Sequence, residues 1–213
     1  MRDSNMKNMK LFIWDFDGTL ADSYPYSVAC MQRAIGDFGH KVTYAQVMEQ
    51  MLENIPAALR HFSQLFEIPD LDAHFRHYHQ LESEDPPALF EGVLPVLDRI
   101  EQLGGVNLIF TNRNEAIFPM LEQLGIADRF AEVVTTIHPH FAWKPAPDAI
   151  AYLMKTYGGT TENTVMIGDR ICDLASGWNA GCKTCHLLTP AVPQYPPCDW
   201  RVENFDQLLA LLS

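Results

Sequence analysis

Asp15 and Asp17 lie two residues apart in Asp15-Phe16-Asp17-Gly18-Thr19, directly after the apolar run Leu11-Phe12-Ile13-Trp14. A short apolar run closed by a Gly-Thr turn reads as a buried strand, so two carboxylates stand where that strand ends. Like charges this close cost free energy unless a cation or a shared proton offsets the repulsion. A divalent ion does so while binding a phosphate oxygen on its open side, and the pair therefore predicts Mg²⁺ and a phosphorylated substrate. A calcium loop is the competing reading of Asp-x-Asp-Gly. It requires further oxygen ligands at fixed offsets and a closing Glu, whereas Leu20 and Ala21 follow here, with Pro25 soon after.

Three more polar groups stand at the ends of apolar runs. Thr111 follows Leu108-Ile109-Phe110, Lys144 precedes Pro145, and Asp169 follows Val165-Met166-Ile167-Gly168. Singly, Gly18, Thr19 and Pro145 are ordinary turn residues and Thr111 an ordinary strand-end threonine. Charges beside buried strands are uncommon without partners, so the functional reading rests on Asp15, Asp17, Lys144 and Asp169. Gly18 permits a tight backbone path, Thr19 is placed to cap the following turn, and Pro145 favours an extended Lys144.

The elements that must position these groups are legible in the hydrophobic pattern. Buried strands are expected near residues 10–14, 106–111, 131–135, 164–168 and 184–188. Segments of helical spacing alternate with them: Val93, Val96, Leu97, Ile100 and Leu103; Ile117, Met120, Leu121 and Leu124; Ile150, Leu153, Met154 and Tyr157. Alternation of this kind predicts an α/β fold, a doubly wound parallel sheet covered by helices on both faces. Gly104-Gly105, Gly125 and Gly158-Gly159 mark helix ends.

Residues 23–88 break the alternation and offer four apolar stripes without a strand. They are Val28, Met31, Ile35 and Phe38; Val47, Met48 and Leu52; Leu59, Phe62, Leu65 and Phe66; Leu71, Phe75 and Tyr78. Four short helices bury such stripes against one another. The expected organisation is a Rossmann-like core of residues 1–22 and 89–213 with an inserted helical cap domain of residues 23–88. Pro86-Pro87 marks the return hinge. The linkers lie near residues 22–24 and 85–88. The Pro-rich stretch 190–197 reads as an ordered loop before a short strand near 200–202 and a closing helix over 205–212.

Composition narrows the partners. A chain of 213 residues, 47% of them hydrophobic, supports one well-buried core and a small accessory domain. A formal net charge of −12 disfavours nucleic acid and anionic membranes, both of which recruit Lys and Arg. No apolar stretch approaches the roughly 20 residues of a membrane span, and residues 1–10 lack the apolar core of a signal peptide, so a cytoplasmic location is expected. Five cysteines, an odd number without a secretion signal, favour reduced thiols. Alternation along the strand sends Cys182 and Cys185 to opposite faces, which argues against a metal or redox pair. Cys182, Cys185, Cys30 and Cys172 read as buried thiols. His74, His77 and His79 read as an exposed helix face rather than a zinc site, having no further strong ligand.

Asp15-Phe16-Asp17-Gly18-Thr19-Leu20, Thr111-Asn112-Arg113, Lys144-Pro145-Ala146-Pro147 and Gly168-Asp169-Arg170-Ile171-Cys172-Asp173 together resemble, in order, the four motifs of the haloacid dehalogenase-like hydrolase superfamily. The 23–88 insert is similar to the helical cap of its phosphoglycolate phosphatase and β-phosphoglucomutase branches. The resemblance implies that Asp15 attacks phosphorus to form an aspartyl-phosphate, and that Asp17 serves as general acid and then general base. It also implies Mg²⁺ held by the carboxylates of Asp15 and Asp169 and the backbone carbonyl of Asp17. Lys144 and Thr111, with backbone N–H groups around Phe16 and Asn112, would stabilise the phosphoryl charge.

On the same resemblance, Asp173 supports the metal side from behind the ligands or orients Lys144. Asn112, Arg113 and Asn114 are placed to touch substrate, with a solvated loop as the competing reading for Arg113 and Asn114. Arg60 and His61 are the cap residues to test for selectivity, and His138 and His140 belong to a loop bordering the site. The expected partner is a small phosphorylated metabolite: phosphoglycolate, a sugar phosphate, a nucleoside monophosphate or pyrophosphate. A dehalogenase has no need of Asp17. A phosphomutase and a non-catalytic binding protein of the same fold remain the alternatives.

Overall fold

The structure, a computed structural model, describes residues 5–80, 86–135, 141–193 and 195–213. The chain divides into two compact units, one formed by Met1–Asp22 with Ala88–Ser213 and the other by Ser23–Pro87.

The larger unit is built on a six-stranded, wholly parallel sheet. Its strands are β1 (Leu11–Trp14), β2 (Val106–Thr111), β3 (Glu132–Thr135), β4 (Thr164–Gly168), β5 (Lys183–Leu187) and β6 (Trp200–Val202), in the order β3-β2-β1-β4-β5-β6. The order reverses between β1 and β4, and ligands of open α/β sheets bind beyond the strand C-termini at such a switch point. Asp15 and Asp169 immediately follow those two strands.

Period-two alternation divides the strand side chains between two cores. Phe12, Trp14, Ile109, Val165, Ile167 and Cys185 face one layer of helices: α5 (Val93–Gln102), α6 (Ile117–Gln123) and α9 (Phe205–Leu211). Leu11, Ile13, Leu108, Phe110 and Met166 face α7 (Asp148–Tyr157) and pack with Cys182. The helix α8 (Ile171–Ala180) follows β4 and packs on β4 and β5. Cys182 and Cys185 thus lie in different cores, as alternation requires, and all five cysteines are free thiols. Cys172 departs from the buried expectation, being only half-buried.

The smaller unit packs α1 (Tyr24–Gly36), α2 (Tyr44–Met51), α3 (Ile55–Phe66) and α4 (Leu71–Gln80). Local signals set their limits. Thr43 and Gln46 form a capping box at α2, and the Asn54 side chain accepts from the Ala57 amide at 2.8 Å to start α3. The buried stripes differ in detail from the expected ones. Met51 replaces Leu52, which lies at the α2 C-cap, and Phe38, beyond the end of α1, is 39% exposed. Leu65 is 58% exposed. His74 Nδ1 donates to Asp37 Oδ2 at 2.8 Å, an exposed contact joining α4 to the end of α1.

Candidate active site

The end of β1 turns sharply. The amides of Thr19, Leu20 and Ala21 all donate to the Phe16 carbonyl, and the Gly18 amide donates to the Ala21 carbonyl. Gly18 has φ of 75°, a left-handed conformation that side chains disfavour. The Asp15 amide donates to the Ile167 carbonyl at 2.9 Å, which ties the end of β1 to the end of β4.

Asp15, Lys144, Asp169 and Asp173 converge there, all buried. Lys144 Nζ donates to Asp15 Oδ1 at 2.6 Å and to Asp173 Oδ1 at 2.8 Å. Its backbone is placed by Asn112, whose Oδ1 accepts from the Lys144 amide at 3.2 Å, and the Lys144-Pro145 peptide is cis. Asp173 stands in the first turn of α8, where its Oδ2 accepts from the Arg170 amide at 3.0 Å and complements the helix dipole. Gly168 makes room for it: a Cβ at 168 would lie 2.3 Å from Asp173 Cβ. Asp169 Oδ1 accepts from Thr19 Oγ1 at 3.3 Å. Thr19 therefore reaches the acidic cluster instead of capping a turn.

Three buried carboxylates gather here, with one oxygen from each of Asp15, Asp169 and Asp173 lying within 4.8 Å of one another. Burial and the neighbouring Asp173 push the Asp15 carboxyl up to about 6, against the opposing pull of Lys144. Burial also raises Asp173, but Lys144 and Arg170 outweigh it and hold that carboxyl below its ordinary value. Lys144 is likewise disfavoured by burial, yet Asp15 and Asp173 keep it firmly protonated. One ammonium thus serves two carboxylates.

Asp15 Oδ2 is buried with no hydrogen-bond partner among the described residues. A buried carboxylate oxygen left unsatisfied is costly, and a hard divalent cation with oxygen ligands removes that cost. The donor set fits Mg²⁺. Both Asp173 oxygens are already engaged, by Lys144 and the Arg170 amide, which suits a residue that orients Lys144.

Asp17 and Arg113 meet in a way their spacing does not signal. Arg113 Nε donates to both Asp17 carboxylate oxygens at 2.9 Å, and its Nη2 donates to Oδ1 at 2.6 Å. The guanidinium lies 5.4 Å from the Phe16 ring centroid and 3.3 Å from Met120 Sδ, and its side chain is 9% exposed. This corrects the solvated-loop reading of Arg113, which holds the second carboxylate of the first motif. Thr111 is buried, and its Oγ1 accepts from the Arg113 amide at 3.1 Å. Arg60 is exposed on α3, in the other unit. His138, His140 and residue 85 of the return linker lie outside the described residues.

The haloacid dehalogenase-like hydrolase family model matches residues 12–187. The chain is 30% identical over 195 residues to a phosphoglycolate phosphatase of Vibrio cholerae, covering 85% of each chain. It is 30% identical over 227 residues to a phosphoglycolate phosphatase of Aliivibrio fischeri, covering 97% of this chain and 98% of that one. The crystal structure of a predicted phosphoglycolate phosphatase from Haemophilus somnus shares the fold with a TM-score of 0.84 at 22% identity, over 97% of this chain and 99% of that one. A parallel sheet with acidic groups at its switch point, in a chain similar to these phosphatases, defines an α/β hydrolase. The protein belongs to the haloacid dehalogenase-like hydrolase family.

Proposed function

We propose that the protein is a Mg²⁺-dependent phosphatase of small phosphate monoesters, phosphoglycolate-like or sugar phosphates, acting through an aspartyl-phosphate on Asp15. The observation that carries this reading is the partnerless buried Oδ2 of Asp15 within the Asp15, Asp169, Asp173 and Lys144 cluster. The names of the Vibrio and Aliivibrio relatives support the substrate class.

Asp15, Asp169 and the backbone carbonyl of Asp17 would hold Mg²⁺, which neutralises and orients the phosphoryl group when bound. The Asp15 carboxylate forms a bond to phosphorus as the ester P–O bond breaks, and Asp17 gives a proton to the departing oxygen. A water then attacks the aspartyl-phosphate, gives its proton to Asp17, and releases inorganic phosphate with Asp15 restored. Lys144, held between Asp15 and Asp173, offsets charge that grows on the phosphoryl oxygens. Arg113 holds the Asp17 side chain in place, and Asp17 enters the first step protonated, regaining that proton from the water in the second.

Phosphate release from 2-phosphoglycolate and a panel of sugar phosphates, with Mg²⁺ and with chelator, tests the proposal. Mg²⁺-dependent release supports it. Turnover of a sugar phosphate to its isomer without free phosphate would make the protein a mutase, and inactivity on the whole panel would make it a binding protein.

A further inference from the structure

A histidine sits directly behind the acidic cluster, outside the four motifs. His186 on β5 is fully buried, opposite Gly168 of β4 on one side and Arg201 of β6 on the other. Its Nε2 lies 2.9 Å from the backbone carbonyl oxygen of Asp169, and its Nδ1 lies 3.4 Å from Arg201 Nε. A guanidinium N–H only donates. Nδ1 is therefore the acceptor, the ring proton resides on Nε2, and Nε2 donates to Asp169. Arg201 is anchored in turn: its Nη2 donates to the Pro196 carbonyl, and its guanidinium lies 5.7 Å from the Tyr195 ring centroid.

We propose that Arg201 and His186 form a positioning relay that fixes the Asp169 backbone, so that the Asp169 carboxylate meets the geometry a divalent cation demands. The proposal rests on the reading of Asp169 as a Mg²⁺ ligand. Asp169 is then gripped from two sides, through its carbonyl by His186 and through Oδ1 by Thr19. Mg²⁺ tolerates little departure from octahedral geometry, and groups that orient metal ligands commonly change metal affinity 10–100-fold when removed. A leucine or methionine would fill the same buried volume without serving the carbonyl. The imidazole accordingly does work that packing does not ask for. The relay also gives the Pro-rich loop a role, since Pro196 and Tyr195 hold its outer end.

The test is calorimetric Mg²⁺ titration of the full chain without substrate, paired with thermal unfolding, for the wild type, His186→Met, His186→Gln and Arg201→Met. His186→Met is expected to bind Mg²⁺ about 10–100-fold more weakly. His186→Gln, which keeps a donor, should stay within a few-fold of wild type, and Arg201→Met should weaken binding by less than His186→Met. KM for the phosphate ester at saturating Mg²⁺ should not change. Unaltered Mg²⁺ affinity in His186→Met and Arg201→Met, with only the melting temperature lowered, would overturn the relay and leave His186 an ordinary core residue. Should His186→Met fail to fold, Arg201→Met at the exposed sheet edge decides between the same two results. A wild-type chain that binds no Mg²⁺ overturns the functional reading itself, which separates that failure from a failure of the relay.

Discussion

Asp15 bears the electrostatic cost of the site, and its pH dependence follows from that. Burial and Asp173 raise its carboxyl to about 6 from an ordinary 3.8, so the folded state holds this proton more tightly than the unfolded chain does. Ionising Asp15 then costs folding free energy, on the order of a few kcal/mol, that is fully felt above pH 6 and relieved below pH 4. Asp173 works in the opposite sense: its lowered carboxyl contributes stability above the ordinary carboxylate value and loses it as pH falls. Comparison with Asp15→Asn isolates the first effect. In chelator, urea unfolding should show the variant gaining stability relative to wild type as pH rises from 4 to 7, while its activity is abolished. A constant difference between the two across that range would mean that the cluster stores no such repulsion.

Arg113 makes a second prediction at this scale. Arg113→Met leaves Asp17 in place without its clamp, and kcat should fall about 10- to 100-fold with little change in KM. Arg113→Lys should recover only part of the loss, because a lysine offers no bidentate fork. A rise in KM with kcat preserved would instead give Arg113 the substrate-touching role that its position beside Asn112 suggests. Asp15, Asp17, Lys144 and Asp169 are legible in sequence because a charge beside a buried strand needs a reason. The Arg113 clamp is not, since its partner lies 96 positions away and only the folded sheet joins them. Thr19 is similar: its hydroxyl reads as a local cap until β4 brings Asp169 beside it.

Strands and helices of the core are legible for a physical reason. Residues 11–14 and 164–168 are apolar on both faces because helices cover both sides of a parallel sheet. Strand order is not written in any local pattern, and the reversal between β1 and β4 that creates the site emerges only from pairing. In the helical unit the stripes locate the helices, but Leu52 and Phe38, at or beyond a helix end, and Leu65, in the last turn of α3, show that an apolar residue there need not join the core. The β4–α8 junction offers an element-scale prediction. Gly168→Ala places a methyl against Asp173 Cβ, so the start of α8 must shift and Lys144 loses its second carboxylate. Stability should drop by about 1–3 kcal/mol in denaturant titration, with phosphate release falling as well. Unchanged activity in Gly168→Ala would show that the Asp173–Lys144 contact does not serve the site.

At the scale of the molecule, a net charge of −12 makes a concentrated local positive charge necessary wherever a phosphate is to bind. Lys144 and, on the proposed reading, a divalent ion would supply it, which would make a strongly acidic chain compatible with an anionic substrate. Among the described residues, no helix is long and apolar enough to cross a membrane. The helical unit of Ser23–Pro87 is the proposed source of selectivity. Arg60→Ala should change the ranking of substrates in a phosphate-release panel more than it changes hydrolysis of a small aryl phosphate, and an equal loss on both would remove selectivity from that unit.

The phosphorylated carboxylate itself is open to direct measurement. Acid quenching during turnover of a phosphate ester, followed by peptide mass spectrometry, should find one phosphoryl group on the peptide carrying Asp15, present with Mg²⁺ and missing with chelator. Phosphate release that proceeds at full rate with no phosphoryl group on Asp15, or with the group on another residue, would contradict the account.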